Sequence, residues 1–154
     1  MELNLFTTFL FAVVATVSFG IMLHSPKKYL LVQGVIGAIG WCSFMVLKKE
    51  FGYNSFYANL LATLLLSLAS ESCARIFKQP TTVFVIPGII PLVPGLGMYQ
   101  GMELIIKNFH SAGMTVLITA ITDAGAIALG VMMMTSLFRI FKLDRILPAH
   151  QSRT

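Results

Sequence analysis

Hydrophobic residues along this 154-residue chain fall into five long stretches that are separated by short polar turns. Each stretch is close to the roughly 20 residues with which an α-helix crosses a hydrocarbon core of about 30 Å. The pattern predicts an all-α, polytopic membrane helix bundle of about five spans, which form a single integral membrane domain over residues 1–154. The predicted spans are residues 3–23, 29–47, 54–77, 80–102 and 111–138.

Composition supports the same class of protein. The chain is 56% hydrophobic and only 11% charged, with a mean hydropathy of +0.83, which excludes an ordinary soluble domain. Only Met1 and Glu2 precede the first stretch. Because this start lacks the basic residues of a signal peptide, we expect the first stretch to be a retained span.

The basic residues are divided unevenly between the turns. If the C-terminus is cytoplasmic, five spans place eight basic residues inside and three outside, as the positive-inside rule requires. We therefore attribute the net charge of +5 to topology in the inner (plasma) membrane, and we expect lipid contact and no nucleic-acid partner. The inner residues are Lys27, Lys28, Arg75, Lys78, Arg139, Lys142, Arg145 and Arg153, and the outer ones are Lys48, Lys49 and Lys107.

The fourth stretch contains a segment that an unbroken helix does not tolerate. Residues 84–101 hold three prolines and four glycines. A proline has no backbone N–H, so the carbonyls of Val83, Pro87 and Ile90 lose their helical partners. In hydrocarbon such groups must be buried in protein or line a polar cavity. The pattern predicts two half-helices that line a transport pathway, and the alternative is a proline kink without a ligand.

A half-helix offers free N–H groups and the positive end of its dipole to an anion. Secondary transporters hold substrate carboxylates in this way near the middle of the membrane. We therefore predict a substrate site at the break and on two threonines of the fifth stretch. The residues are Pro87, Gly88, Pro91, Pro94, Gly95, Tyr99, Thr119 and Thr122.

Asp123 is the one ionisable residue of the fifth stretch and lies near its middle. A carboxylate there costs about 2.5–3.5 kcal/mol on insertion scales and commonly marks a proton or ion path. We predict that Asp123 couples transport to a proton, and the alternative is a buried aspartate with a purely structural hydrogen bond. Three small residues, Ala120, Ala124 and Ala128, predict a packing row on the same helix.

Two further features have both a structural and a functional interpretation. Glu71 and Arg75 share a helix face, either as a paired anchor at the membrane interface or as a gate. Gln33 lies among small residues that predict a close-packed helix face, and a pathway role for it is the alternative. That face comprises Gly34, Gly37, Ala38 and Gly40, and residues 139–154 predict a tail on the lipid interface.

The broken stretch contains the pattern Pro91-x-x-Pro94-Gly95-x-x-x-Tyr99, preceded by Pro87-Gly88 and followed by Met102. This pattern resembles the signature of the threonine/serine exporter family. Length and span number are similar to the small membrane subunit of its two-component members, related to the smaller subunit of the succinate exporter. The resemblance implies an exporter of small carboxylate-bearing metabolites that works with a larger membrane subunit.

The sequence thus favours a secondary exporter, in a hetero- or homo-oligomer, that moves threonine, serine or a dicarboxylate and is coupled to protons. A channel-like or purely structural membrane subunit without coupling is the alternative. We expect no enzyme, because no catalytic constellation of side chains occurs at helical spacing. The scattered histidines and cysteines predict no metal site, and we expect no cofactor.

Overall fold

The computed structural model describes residues 5–146, with side chains up to residue 140. All elements of this part of the chain are helical, as the sequence predicts. Short 3₁₀ turns cover Lys27–Tyr29 and Ile90–Leu92. The α-helices are α1 (Leu5–Met22), α2 (Leu30–Lys49), α3 (Ser55–Phe77), α4 (Thr82–Ile89), α5 (Gly95–Ile106) and α6 (His110–Ile146).

Helices α1 and α2 approach each other closely through glycines of α2. A Cβ atom added to Gly34 would lie 2.8 Å from the side chain of Val17 on α1, and Gly37 lies directly against Thr16. Gly40 faces the other way and packs on Leu66 of α3. The predicted close-packed face of α2 is therefore confirmed, because a larger side chain at these positions would separate the helices.

Three helix ends meet in an aromatic cluster. Tyr29 precedes α2, Phe77 ends α3 and Phe84 lies in the first turn of α4, with ring centroids 5.3–6.0 Å apart. Arg75, near the end of α3, also contacts α6 at Phe138. The basic residues near the ends of α3 and α6 and near the start of α2 therefore lie at the same end of the bundle. This grouping matches the charge pattern on which the predicted topology rests.

The predicted break in the fourth stretch is present. Helix α4 continues into the 3₁₀ turn, the chain is extended at Val93, and α5 begins at Gly95 after Pro94. The two halves are bent by 43° relative to each other. A bend of this size leaves both halves running in the same general direction, whereas a re-entrant loop reverses its direction.

Helices α3 and α6 are parallel neighbours, which decides how often the chain crosses the bundle. Because both run the same way, α4 and α5 together must return the chain from the end of α3 to the start of α6. The four long apolar helices and this bent pair therefore make five crossings, in agreement with the predicted number. The contacts, in order along both helices, are Ser55 with Asp123, Thr63 with Gly130 and Arg75 with Phe138.

Helix α6 is longer than its hydrophobic stretch and continues without a break to Ile146. The first part of the predicted interfacial tail is thus a continuation of α6, and residues 147–154 lie outside the described part. The predicted alanine row is wrong as a packing row within this chain. Ala120 packs against Gly97 of α5, but Ala124 and Ala128 are exposed, because α3 contacts the face that contains Asp123 and Gly130.

Candidate functional site

The carbonyl groups released by the three prolines all have partners within the chain. The side-chain Nε2 of Gln33 on α2 donates to the Val83 oxygen at 2.9 Å. The N–H of Ile90 donates to the Pro87 oxygen, and the N–H of Val93 donates to the Ile90 oxygen. A side chain and two 3₁₀-type bonds thus satisfy these carbonyls inside the protein, which is one of the two expected outcomes, and a pathway along the break stays a prediction.

The structure divides the predicted substrate residues of the break into two groups. Pro87 and Gly88 are buried, and a Cβ atom added to Gly88 would lie 3.4 Å from Ile36 of α2. Gly95 and Tyr99 are exposed, Tyr99 to 65%, and nothing lies within 4 Å of a Cβ built on Gly95. The first turn of α5 therefore faces away from the bundle and has no side-chain cap.

Between these two groups lie the remaining prolines of the break. Pro91 lies within the 3₁₀ turn and Pro94 immediately precedes α5, and both are half-buried. They form the corner between the two halves of the broken span. A substrate role for any of these residues stays a prediction.

Thr119 and Thr122 are exposed on α6, although Thr119 lies one helical turn before the buried Asp123. Their hydroxyls donate to carbonyls of their own helix at 2.9 and 2.8 Å. Asp123 is only 7% exposed and lies on the face of α6 that packs on α3. The two threonine hydroxyls therefore bond to their own helix and not to the aspartate, and their predicted substrate role stays a prediction.

Asp123 is buried with one oxygen partnered and one free. Its Oδ2 accepts a hydrogen bond of 2.7 Å from the hydroxyl of Ser55, the first residue of α3. Its Oδ1 is buried and has no hydrogen-bond partner among the described residues. Asp123 follows the start of α6 by about 20 Å along the helix. Because it bonds to Ser55, it lies level with the start of α3 and not with its middle.

A row of polar residues extends from this contact along α3. Its members recur at every fourth position, which keeps them on a slowly winding face of the helix. Asn59, Thr63 and Ser67 are each at most 2% exposed, and Thr63 lies beside Gly130 of α6. We call this set the polar row; it consists of Ser55, Asn59, Thr63, Ser67 and Glu71.

The buried oxygens of the polar row are unlike the other hydroxyls of the bundle. The side-chain oxygens of Asn59, Thr63 and Ser67, and of the adjacent Ser70, have no hydrogen-bond partner among the described residues. Exposed serines and threonines instead donate to a carbonyl of the preceding helical turn, which hides the hydroxyl from lipid. Examples are Ser18, Ser43, Ser72, Thr115, Thr119 and Thr122.

The polar row was not recognised as a unit in the sequence. Its signal was the recurrence of polar residues at intervals of four within an otherwise aliphatic helix, from Ser55 to Glu71. Such a row equally fits a polar packing face between membrane helices. Only the missing hydrogen bonds distinguish a functional row from a polar packing face. Whether these bonds form depends on how α3 packs against α6, which the sequence does not show.

Glu71 and Arg75 are not joined as an ion pair in the described part of the chain. The Arg75 guanidinium donates to the Phe138 carbonyl at 3.0 Å and lies 4.5 Å from the centroid of the Phe138 ring. Glu71 is 7% exposed at the end of the polar row. A gate or interface role for Glu71 and Arg75 stays a prediction. Such a role would not depend on an ion pair between them.

A cavity of about 300 Å³ opens at the end of the bundle where the basic residues gather. The turn after α1 and the first half of the broken span form its walls, including His24, Thr82 and Pro87. Among the described residues, no group of three or more His, Cys, Asp or Glu side chains comes together. The polar groups of the broken span and of the polar row are thus hydroxyls, amides and isolated carboxylates.

Comparison with known proteins identifies the family of the chain. The sequence model described as "Threonine/Serine exporter, ThrE" matches residues 8–137, which is most of the chain. No solved structure matches the chain. The family is one of transporters and not of enzymes. This multi-pass membrane protein therefore belongs to the threonine/serine exporter family and has an exporter-type transport function.

Proposed function

We propose that the chain is the small membrane subunit of a two-component secondary exporter driven by protons. Its substrates are small carboxylate-bearing metabolites, either threonine and serine or a dicarboxylate such as succinate. The observation that supports coupling best is the buried Asp123, whose Oδ1 has no partner in the described part of the chain. An acid at a helix interface within the membrane is costly, and transporters use such acids to bind and release protons.

The substrate site of the proposal lies at the broken span. The cavity beside Pro87 is larger than a small amino acid and opens where basic residues attract a carboxylate. The uncapped first turn of α5 provides a second anion-binding end. A substrate that moves along the broken span passes from the first of these positions to the second.

The proposed partner is a larger membrane subunit of the same family. Tyr99, Thr119, Thr122 and the first turn of α5 lie on the outer surface of this chain. A substrate site that uses them is complete only when another chain covers this surface. The proposal therefore includes a hetero- or homo-oligomer, in the inner membrane, with the C-terminus in the cytoplasm.

A channel-like or scaffold subunit without coupling is the second candidate. The hydrogen bonds within the break favour this candidate. The carbonyls of Val83, Pro87 and Ile90 all have partners inside the chain, so none of them requires a ligand. Such a subunit needs no coupling acid. Export through it would be insensitive to the proton gradient.

The test is efflux of labelled metabolites from cells that contain or lack this chain and its genetic neighbour. Threonine, serine and succinate are loaded in parallel, with and without a protonophore. We expect efflux of one class to require both chains and to fall when the gradient is dissipated. Efflux that needs both chains but ignores the protonophore identifies the channel or scaffold function instead.

A further inference from the structure

The polar row covers most of the thickness that a proton must cross. Ser55 and Glu71 are sixteen residues apart, which corresponds to about 24 Å along a helix, against about 30 Å for a hydrocarbon core. A carboxyl group stands at each end, Asp123 beside Ser55 and Glu71 within the row itself. The row thus runs between two carboxyl groups that lie about 24 Å apart along α3.

Two other uses of the row fit the structure less well. As a path for an amino acid it lacks room, because Thr63 and Ser67 are fully buried against neighbouring helices. As a polar contact that holds the helices together it has the hydrogen bond from Ser55 to Asp123, but the oxygens of Asn59, Thr63 and Ser67 have no partners among the described residues. Unpaired polar groups in a packed interface are destabilising, so their presence calls for a function.

We propose that the polar row of α3, together with Ser70, carries the coupling proton between Asp123 and Glu71 through water molecules that bridge its hydroxyls and pass beside Asn59. This inference rests on the proposed function, because only a coupled exporter moves a proton with its substrate. Consecutive members of the row are about 6 Å apart along the helix axis. One water between two hydroxyls spans about 5.5 Å, from two O–H···O bonds of about 2.7–2.8 Å each.

The proton balance along the row is simple. The Asp123 carboxyl gives its proton to the first water, and each water or hydroxyl accepts one proton and releases another on its far side. The Asn59 side chain does not carry the proton: its Oδ1 accepts a hydrogen bond from a water, and the proton passes this position along waters that hydrogen-bond to one another between Ser55 and Thr63. The Glu71 carboxylate receives the final proton and releases it, so the row ends with its original charge.

No basic side chain forms an ion pair with either carboxylate in the described part of the chain, where Glu103 of α5 pairs with Lys107. Helix α4 carries no charged residue, so α2, α5, α6 and the loops provide the charges nearest the two carboxylates. These are Lys48, Lys49, Glu50, Glu103 and Lys107 toward the Asp123 end, and Lys27, Lys28, Arg75, Lys78 and Arg139 toward the Glu71 end.

The experiment uses the membrane complex purified through a tag on this chain and reconstituted in liposomes that contain a pH-sensitive dye. Two quantities are measured: substrate exchange at equal pH, and the proton flux that a substrate gradient drives. Thr63→Val and Ser67→Ala remove hydroxyls of the row. Thr115→Val and Ser72→Ala are matched controls, because these hydroxyls are exposed and bond to their own helix.

We expect the two row variants to lose substrate-driven proton flux about tenfold or more while exchange at equal pH continues. Ser67→Thr, which keeps a hydroxyl, and both controls retain the flux. Undiminished flux in the row variants, beside a coupled wild type, overturns the relay and leaves the exporter proposal intact. If the wild type exchanges substrate without any proton flux, coupling fails and the relay fails with it.

Discussion

The side-chain amide of Gln33 on α2 donates to the backbone oxygen of Val83, four residues before Pro87, at 2.9 Å. Pro87 cannot supply the N–H that this oxygen would receive in a regular helix. An amide from a neighbouring helix thus replaces a backbone donor that is missing inside α4. Gln33 therefore has a structural contact at the break in the fourth span, and the alternative pathway role stays a prediction.

This relationship predicts a specific double-mutant result. Gln33→Leu leaves the Val83 carbonyl buried without a donor, which costs about 1–3 kcal/mol and lowers the melting temperature by several degrees. Pro87→Ala restores a helical N–H, so adding Gln33→Leu to that variant should cost much less. Thermal unfolding of the four proteins in detergent measures the difference. Equal costs in both backgrounds would show that Gln33 acts through another contact.

Removing the corner of the break should separate insertion from transport. Pro91→Ala with Pro94→Ala lets the 3₁₀ turn and α5 join into a continuous helix, while the hydrophobicity needed for insertion is kept. We expect normal membrane levels and reduced efflux. Efflux at the wild-type rate in the double variant would mean that the bend of 43° has no role in transport.

Asp123→Asn mimics the protonated acid and should uncouple export from the proton gradient. We expect substrate exchange to continue and gradient-driven export to fall about tenfold, whereas Asp123→Ala also leaves Ser55 without its partner and weakens exchange. Glu103→Gln is the control, because that carboxylate is exposed and paired with Lys107. If Asp123→Asn still exports substrate at the wild-type rate when a proton gradient is applied, Asp123 does not couple export to protons.

Two glycines of α6 give a matched test of the α3–α6 contact. A Cβ atom on Gly130 would lie 2.9 Å from the Cβ of Thr63, while nothing lies within 4 Å of one on Gly125. Gly130→Ala should therefore destabilise the protein by about 1–3 kcal/mol. Gly125→Ala should be neutral or slightly stabilising, since alanine favours helix. Unfolding temperatures in detergent that are the same for both variants would contradict the parallel packing of α3 and α6.

Reporter fusions test the predicted orientation. A fusion after Thr154 should be active as a cytoplasmic reporter, and a fusion at Asn108, between α5 and α6, should be active only as an outside reporter. Both expectations follow from the eight-to-three division of basic residues. An outward C-terminus would reverse the orientation, and a cytoplasmic Asn108 would mean that α4 and α5 do not cross the membrane.

The sequence predicted local features well because their causes are local. Prolines remove helical hydrogen bonds wherever the helix packs, so the break near Pro91 follows from residue type alone. Gly34 and Gly37 likewise predict close approach, which the contacts with α1 confirm. The length of each apolar stretch sets the number of spans in the same way.

Features that depend on helix rotation and register were not predictable. Thr119 and Asp123 are one turn apart in sequence, but α3 and α5 together decide which arc of α6 is buried, and Thr119 falls outside it. The partner of the Val83 carbonyl is fifty residues away on another helix. The polar row required the pairing of Ser55 with Asp123, which only the return path through α4 and α5 establishes.

The parallel course of α3 and α6 also restricts how this chain is joined to a second copy. Five crossings leave the first and last helices with their outer ends on opposite faces of the membrane. A short linker between two copies therefore forces the second copy to insert upside down, against its own distribution of lysines and arginines. A covalent dimer with both halves in the same orientation needs one additional transmembrane helix as its linker. Direct fusion instead produces an inverted repeat, an architecture found in many secondary transporters.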